Sequence, residues 1–178
     1  NSANAYTFAQ WIKRGPVQGT LQSFMGAPSA DKAWFNFLPD NSVRLYNSDL
    51  TPPAINTLAA QRTIADQKWH LMVGTFDGTT RKIYIDGLAQ TTSTATSTGA
   101  LNLTATFYVT AFPGGNNFRG KSDEARIWNR ALTATEVQNM YFNNIVPRDN
   151  LVAEYLFNEG SGATALDTSG NGNNGTIT

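Results

Sequence analysis

The chain has 178 residues, no cysteine, one histidine and a formal net charge of +0. This length corresponds to one domain, the lack of cysteine excludes disulfides and thiolate metal sites, and the absence of a basic stripe argues against a nucleic-acid partner. No apolar run approaches the roughly 18 residues of a transmembrane helix, so we expect no membrane insertion.

The first third of the chain predicts short β-strands separated by turns. Glycine and proline interrupt the apolar segments, which is typical of turns. The predicted strands cover residues 6–13, 20–26, 32–38 and 42–47. Residues 50–60, which include Pro52 and Pro53, are predicted to be irregular because proline removes a backbone donor from a sheet.

Residues 68–87 predict a β-hairpin around which the sheets are built. Their sequence is K-W-H-L-M-V-G-T-F-D-G-T-T-R-K-I-Y-I-D-G, with a turn at Asp77-Gly78 and a second at Asp86-Gly87. Apolar side chains occupy both faces of the two predicted strands. We therefore expect a central hairpin, covered on each side, in an all-β sandwich.

The second half of the chain predicts further strands and one loop of low complexity. Residues 91–98, rich in Thr and Ser, are predicted to form a solvated loop, whereas 101–112 and 118–129 alternate as strands do. The segment L-V-A-E-Y-L-F at 151–157 is a strong strand, followed by a glycine-rich loop and a last short strand. An apolar strand at a terminus should pair with another strand, because an exposed edge promotes aggregation.

One segment predicts a helix at 134–143. Thr133 and Glu136 are spaced as a capping box, in which each side chain binds the backbone amide of the other. Val137, Met140 and Tyr141 form a single apolar stripe, which indicates a helix lying on the surface of the sandwich.

Three stretches together resemble a known family. They are the hairpin W-H-L-M-V-G-T-F-D-G-T-T-R-K-I-Y-I-D-G, the strand and helix F-R-G-K-S-D-E-A-R-I-W-N-R-A-L-T-A-T-E-V-Q-N-M-Y, and the tail L-V-A-E-Y-L-F-N-E-G-S-G-A-T-A-L-D-T-S-G-N-G-N-N-G-T. They are similar to the laminin-G-like, concanavalin-A-like jelly-roll domains of bacterial surface and secreted proteins. The resemblance implies an all-β, antiparallel two-sheet jelly-roll sandwich with one short surface helix, in an extracellular or cell-surface protein.

The order of these stretches differs from that of the family, whose members usually begin with a segment like 151–176. Two interpretations are open: the tail supplies these strands to its own domain, in circularly permuted order, or it belongs to a neighbouring domain. We favour a single domain over 1–178, with 151–178 supplying the strands that usually open the fold, because domain termini often lie close together.

The sequence shows no catalytic constellation. His70 lies in a strand beside Trp69 and is interpreted as a buried histidine of the sheet. Jelly-roll glycosidases need a pair of carboxylates, and Asp123 and Glu124 are expected to point to opposite faces of their strand. We therefore expect that the protein is not an enzyme.

A metal site is predicted in the glycine-rich loop that begins at Asp167. Calcium binds six to eight oxygen ligands in a permissive geometry, and the family resemblance implies a structural calcium ion here. Asp167 and Asn171 are the expected ligands, with Asp123 or Glu124 as partners from a neighbouring strand. The alternative is an Asx-rich turn without metal.

A sugar site requires exposed aromatic rings with amides and carboxylates nearby. Trp11, Trp69 and Trp128 lie in strands of the family motifs and are expected to be in the core. The residues left as candidates for ligand binding are Trp34, Tyr46, Tyr108 and Phe112.

These observations favour a non-catalytic binding or adhesion module that recognises a polysaccharide or surface glycan and is stabilised by calcium. The alternative is a structural spacer or assembly subunit, in which the C-terminal strand joins neighbouring copies of the domain. A catalytic glycosidase is the least favoured interpretation.

Overall fold

The computed structural model describes residues 2–3, 5–16, 19–27, 33–47, 58–59, 64, 66–94, 101–102, 106–110 and 115–178. Its elements in chain order are β1 (Ser2–Ala3), β2 (Tyr6–Arg14), β3 (Gln22–Ala27), β4 (Ala33–Phe37), β5 (Val43–Asn47), β6 (Leu58–Ala59), β7 (Trp69–Phe76), β8 (Thr80–Ile85), β9 (Leu88–Thr94), β10 (Leu101–Asn102), β11 (Tyr108–Val109), β12 (Gly120–Trp128), α1 (Ala134–Asn143), β13 (Leu151–Tyr155), β14 (Thr164–Ala165) and β15 (Gly175–Thr176).

Two antiparallel sheets form the sandwich. The six-stranded sheet has the order β13-β12-β2-β7-β8-β9, and the five-stranded sheet has the order β11-β3-β4-β5-β6. Two short pairs, β1-β10 and β14-β15, lie outside them. The predicted fold, an all-β antiparallel two-sheet sandwich with one short helix, is confirmed. In the described part of the chain, no helix has the length and apolar character needed to cross a membrane.

The main core lies between the two sheets. Phe8 and Met72 of the six-stranded sheet belong to one buried cluster with Phe35 and Leu45 of the five-stranded sheet. The sheets approach closely at Gly74, where an added Cβ would lie 3.1 Å from Leu45 and 3.3 Å from Phe35. Burying each large apolar side chain contributes about 1.5–3 kcal/mol to folding.

The second face of the six-stranded sheet is partly covered by α1. Leu71 and Val73 of β7 and Trp128 of β12 are buried in a separate cluster with Val137 and Met140 of the helix. The hairpin β7-β8 is therefore covered on both sides, as its apolar pattern predicts.

The helix begins and ends as the sequence predicts. The Thr133 hydroxyl accepts from the Glu136 amide at 3.2 Å, and the Glu136 carboxylate accepts from the Thr133 amide at 2.8 Å. At the other end Asn144 adopts the left-handed conformation with φ 53°, and its amide donates to the Asn139 carbonyl. The capping box is confirmed.

Two predicted boundaries are wrong. Part of the expected Thr/Ser loop, residues 91–94, continues the strand β9 that begins at Leu88, because its backbone pairs with β8. The segment 101–112 is not one strand: the described parts are β10 and β11, which pair with β1 and β3 respectively.

A β-bulge interrupts β12 between Asp123 and Arg126. Glu124 has φ 49°, the left-handed region that favours glycine. The extra residue shifts the alternation, so the simple rule that Asp123 and Glu124 point to opposite faces of a regular strand does not apply here.

The C-terminal tail pairs within its own chain. β13 lies at the edge of the six-stranded sheet, antiparallel to β12, with Ile127 opposite Ala153. Glu154, only 2% exposed, accepts from Arg126 at 2.8 Å and from Arg148 at 2.7 Å. That these strands correspond to the ones that open the fold in relatives stays a prediction.

Candidate functional site

Strand register places three of the four predicted ligand-binding residues in one row across the five-stranded sheet. Tyr108 of β11 is the Cα partner of Gly26 of β3, Gly26 is the partner of Trp34 of β4, and Trp34 is the partner of Tyr46 of β5. Phe112, the fourth predicted residue, lies outside the described residues. The aromatic row is defined here as Tyr108, Trp34 and Tyr46.

Trp34, at the centre of this row, lies on the side of the sheet that faces away from the core. Ala33, Phe35 and Phe37 of β4 are buried between the sheets. Because successive residues of a strand point to opposite faces, Trp34 and Asn36 belong to the outer face. Trp34 is half-buried, so part of its surface is exposed.

A polar row runs beside the aromatic row. Ser23, Asn36 and Arg44 are Cα partners in β3, β4 and β5, and the Arg44 Nε donates to Asn36 Oδ1 at 3.0 Å. Ser23 Oγ and Asn36 Nδ2 are buried and have no hydrogen-bond partner among the described residues. An unsatisfied buried polar group costs about 1–3 kcal/mol, so such a group needs an explanation.

The two rows together offer the chemistry that a polyhydroxylated ring requires. An aromatic ring covers the apolar face of such a ligand, and the half-buried guanidinium of Arg44 in the neighbouring row can bind its oxygen atoms. Binding sites are typically apolar surfaces that carry a few such convergent polar groups. This outer face is the best candidate site for the ligand in the described structure.

Asp167, the first predicted calcium ligand, is a hydrogen-bond acceptor for the backbone. Its Oδ1 accepts from the amides of Glu154 at 3.0 Å and Ser169 at 2.9 Å, and its Oδ2 accepts from the Asn173 amide at 2.9 Å. Burial acts to raise the pKa of Asp167, but these hydrogen bonds outweigh it and lower the pKa below its usual value.

Asn171, the second predicted ligand, acts as a donor. Its Nδ2 donates to the carbonyls of Leu151 at 2.7 Å and Val152 at 3.1 Å, and Asn173 Nδ2 donates to the same Val152 carbonyl at 2.8 Å. The segment 167–173, called the edge loop below, thus binds the outer backbone groups of β13. It satisfies an edge strand that would otherwise present open donors and acceptors.

Asp123 and Glu124 do not complete a calcium site with the edge loop. Asp123 Oδ1 accepts from the Glu124 amide, and Glu124 Oε2 forms an ion pair with Arg126 at 2.9 Å. Among the described residues, no three His, Cys, Asp or Glu side chains are grouped so that they could hold a metal ion. Calcium binding by Asp167 and Asn171, with Asp123 or Glu124 as partners, stays a prediction.

An open depression of about 510 Å³ lies beside the edge loop, and no sequence pattern predicted it. Most of the side chains that line it are polar, and none is aromatic, so it offers no ring to stack on a ligand. The lining residues are Asn129, Arg148, Asn150, Leu151, Val152, Ser169, Asn171 and Asn173.

His70 is a buried histidine of the sheet, as the sequence predicts. Its Nδ1 lies 2.8 Å from Asp86 Oδ2 and its Nε2 lies 2.9 Å from Asp66 Oδ1. The hydrogen bond to His70 is the main cause that lowers the pKa of Asp66. One ring nitrogen therefore holds the start of β7 to the turn after β8, and the other holds it to the segment just before β7.

The tryptophans expected in the core fall into three environments. Trp128 is fully buried, Trp11 is half-buried, and Trp69 is 41% exposed. The expectation for Trp69 is wrong, because its side chain lies on the same face of β7 as Leu71 but beyond the region that α1 covers.

Comparison with protein families gives a match over most of the chain. The family described as the concanavalin A-like lectin/glucanases superfamily matches residues 1–138. A search of curated proteins found no match.

Solved structures share the fold at low sequence identity. A protein of Bacteroides ovatus described as carbohydrate binding has a TM-score of 0.79 at 15% identity, over 99% of this chain and 55% of that one. This chain therefore spans about half the length of the B. ovatus protein.

Two further structures resemble the chain less closely. Domain 4 of AbnA, an extracellular arabinanase of Geobacillus stearothermophilus, solved with arabinotriose, has a TM-score of 0.62 at 22% identity, over 79% of this chain and 68% of that one. A pentraxin of Limulus polyphemus has a TM-score of 0.64 at 16% identity, over 99% of this chain and 84% of that one.

Proposed function

Because the chain belongs to the concanavalin A-like lectin/glucanases superfamily, we propose that it is a non-catalytic carbohydrate-binding module. Its sugar is held on the outer face of the five-stranded sheet, against the aromatic row and the polar row. In keeping with the resemblance seen in the sequence, the module belongs to an extracellular or cell-surface protein of a bacterium.

The observation that carries this proposal is the pairing of the two rows by strand register. Trp34 offers a partly exposed ring, and Arg44 beside it in the polar row is half-buried, so both can contact a ligand. A sugar can stack on the ring, and its hydroxyl oxygens can accept hydrogen bonds from the guanidinium.

The relatives support a sugar as the ligand. One similar structure is described as carbohydrate binding, and another was solved with arabinotriose. Identity to both is below one quarter, so they support the chemical class of the ligand through the fold and leave the individual sugar to experiment.

The composition of the face supports binding without catalysis. Glycosidases place two carboxylic acids on either side of the bond that they break, about 5–10 Å apart. The described residues of the polar row, Ser23, Asn36 and Arg44, include no carboxylate. Asp123 and Glu124 lie in the other sheet, where Glu124 is paired with Arg126.

The alternative, in which the tail joins neighbouring copies, receives less support from the arrangement of β13. The outer carbonyl of Val152 and the outer amide of Glu154 are bound by the chain's own edge loop. Strand addition requires open backbone groups at the sheet edge, and these two groups are already bonded.

A binding experiment tests the proposal with two variants, each of which replaces one aromatic residue by alanine. Arabino-, xylo-, gluco- and galacto-oligosaccharides are titrated into the wild type, Trp34→Ala and Phe142→Ala by isothermal calorimetry. Phe142 is the matched control, since it is an aromatic residue, 62% exposed, on the helix. We expect one sugar class to bind, with an affinity that falls about tenfold, or 1.4 kcal/mol, in Trp34→Ala alone.

The proposal fails if none of the sugars binds the wild type. It also fails if Trp34→Ala, with an unchanged circular dichroism spectrum, binds as tightly as the wild type.

A further inference from the structure

A second surface lies on the opposite side of the sandwich, on the part of the six-stranded sheet that α1 leaves uncovered. Lys121 of β12, Lys13 of β2 and Trp69 of β7 are successive Cα partners across three adjacent strands. Trp11 and Leu71 form the next row, and Leu71 is buried under the helix cluster. The Trp69 surface is defined here as Lys121, Lys13, Trp69 and Trp11.

Of the two tryptophans of this surface, Trp11 is packed against the helix and Trp69 is exposed to solvent. The Trp11 ring stacks on Tyr141 of the helix, with ring centroids 5.7 Å apart, and packs against the buried cluster. Trp69, one row further along, is 41% exposed. Leaving a large apolar ring in water forgoes the stabilisation that burial would supply.

The charged part of the surface is a pair of lysines placed directly opposite each other. Like charges in opposite positions of an antiparallel pair are destabilising. Neither Lys13 nor Lys121 forms an ion pair within the described part of the chain. Asp123, opposite Trp11, lies on the same face one row along, and its Oδ1 accepts from the Glu124 amide.

We propose that the Trp69 surface binds a sugar chain that carries carboxylate or sulfate groups. One ring of the chain stacks on Trp69, and the acid groups of adjoining sugar residues bind Lys13 and Lys121. The three positions span two strand spacings, about 10 Å, which is the length of a short stretch of sugar residues. This site lies beyond the function proposed above, on the other face of the molecule.

The ring and the lysines together favour an anionic sugar over a simple anion. A small anion would need only the lysine pair and would leave the exposed Trp69 without a role. An acidic sugar residue has both an apolar C–H face for the ring and an acid group for the cations, so one ligand explains both features.

The test uses three polysaccharide probes that differ in the charged group they carry. Oligogalacturonate carries carboxylates, dextran sulfate carries sulfates, and dextran is the neutral counterpart of the sulfated chain. Each is titrated into the wild type, Trp69→Ala, the double variant Lys13→Gln/Lys121→Gln, Lys82→Gln and Trp34→Ala. Lys82 is the matched lysine control, because its partner Thr75 lies near the other end of β7.

We expect at least one anionic probe to bind the wild type and dextran not to bind. Trp69→Ala and the double lysine variant should each weaken that binding about tenfold, and Lys82→Gln and Trp34→Ala should keep it within about twofold. The double variant should also lose most of the salt dependence of binding, because two charge contacts are removed. Which anionic probe binds distinguishes a carboxylate ligand from a sulfate ligand.

Several outcomes overturn the proposal. One is that neither anionic probe binds, whatever the neutral sugars do on the other face. Another is that the lysine variant loses binding while Trp69→Ala keeps it, which indicates charge attraction without a sugar site. A third is that Trp34→Ala weakens the anionic probe, which assigns this ligand to the five-stranded sheet and leaves the Trp69 surface without one.

Discussion

The edge of β13 and the outer face of the five-stranded sheet both carry polar groups, but these groups are hydrogen-bonded at the edge and partly unsatisfied on the face. At the β13 edge the Asp167 carboxylate accepts from three backbone amides, and the buried Glu154 is bound by two arginines. On the outer face, Ser23 Oγ and Asn36 Nδ2 are buried without a partner in the described part of the chain.

The contrast separates a structural use of polar residues from a binding use. Residues that close a sheet edge must satisfy the backbone of that edge, since buried or edge donors without partners are costly. Buried polar groups without a partner destabilise the fold, so stability alone does not explain the polar row. The edge loop, although rich in acidic and amide residues, is therefore the weaker candidate for a ligand site. The outer face of the five-stranded sheet is the stronger candidate.

Breaking the buried ion pair at the β13 edge should have the largest effect. Glu154→Ala leaves the buried Nε of Arg126 without its acceptor, which we expect to destabilise the protein by about 3–5 kcal/mol in urea unfolding. Glu124→Ala is the matched control, because Glu124 binds the same arginine with a side chain 34% exposed, against 2% for Glu154. An equal loss in the two variants would show that the burial of Glu154 is unimportant.

Removing the acceptor of the edge loop should have the next largest effect. Asp167→Ala leaves three amides without their acceptor, and we expect a loss of about 2–3 kcal/mol. Asp167→Asn, which keeps one acceptor oxygen, should lose less.

The same variant tests the prediction of calcium. If the role of Asp167 is to bind the backbone, the loss should be equal in calcium chloride and in EDTA. If Asp167 and Asn171 hold calcium, the ion should raise the melting temperature of the wild type by mass action, and Asp167→Ala should abolish that rise.

Two hydroxyl deletions compare the regions directly. Thr168 Oγ1 donates to Glu154 Oε2 at 2.8 Å, so Thr168→Ala should cost about 1 kcal/mol. Ser23 Oγ has no partner among the described residues, so Ser23→Ala should leave the free energy of unfolding unchanged or raise it by up to about 1 kcal/mol. A loss for Ser23→Ala as large as that for Thr168→Ala would mean that the hydroxyl has a structural partner, and the contrast between the regions would be lost.

The smallest expected effect is the pH dependence of the helix cap. The hydrogen bond from Arg130 is the main cause that lowers the pKa of Glu136 from 4.5 to about 2. A pKa lower in the folded state gives a stability contribution that is present above about pH 4.5 and is lost as the pH falls toward 2. Because Glu136 is partly exposed, we expect this contribution to be below about 1 kcal/mol.

The measurement is the difference in urea midpoint between the wild type and Glu136→Gln across that pH range. The difference should shrink as the pH falls, because the other acidic groups are common to both proteins. A difference that stays constant with pH would contradict the lowered pKa.

Local sequence signals were sufficient for the elements that depend on neighbouring residues. The capping box of Thr133 and Glu136 defines the start of the helix because both hydrogen bonds form within one turn. The alternation in residues 69–85 identifies the central hairpin, since its apolar residues occupy both faces and the turn at Asp77-Gly78 is short. The sandwich class follows from these elements and from the strands beside them.

Other features were decided by which elements meet in the folded chain. Trp69 and Leu71 alternate identically in the sequence, but α1 covers Leu71 and ends short of Trp69, which is 41% exposed. Asp167 follows a pattern typical of calcium ligands, but the edge of β13 lies beside it and uses its oxygen atoms.

The alignment of Trp34, Tyr46 and Tyr108 is another feature that the sequence alone does not predict. The sequence marks these residues as aromatic candidates on three strands, and only the register of β11, β3, β4 and β5 aligns them. Periodicity determines which residues of one strand share a face. Which strands are neighbours, in what register, and what covers each face depends on contacts between distant segments, so the tertiary structure alone decides them.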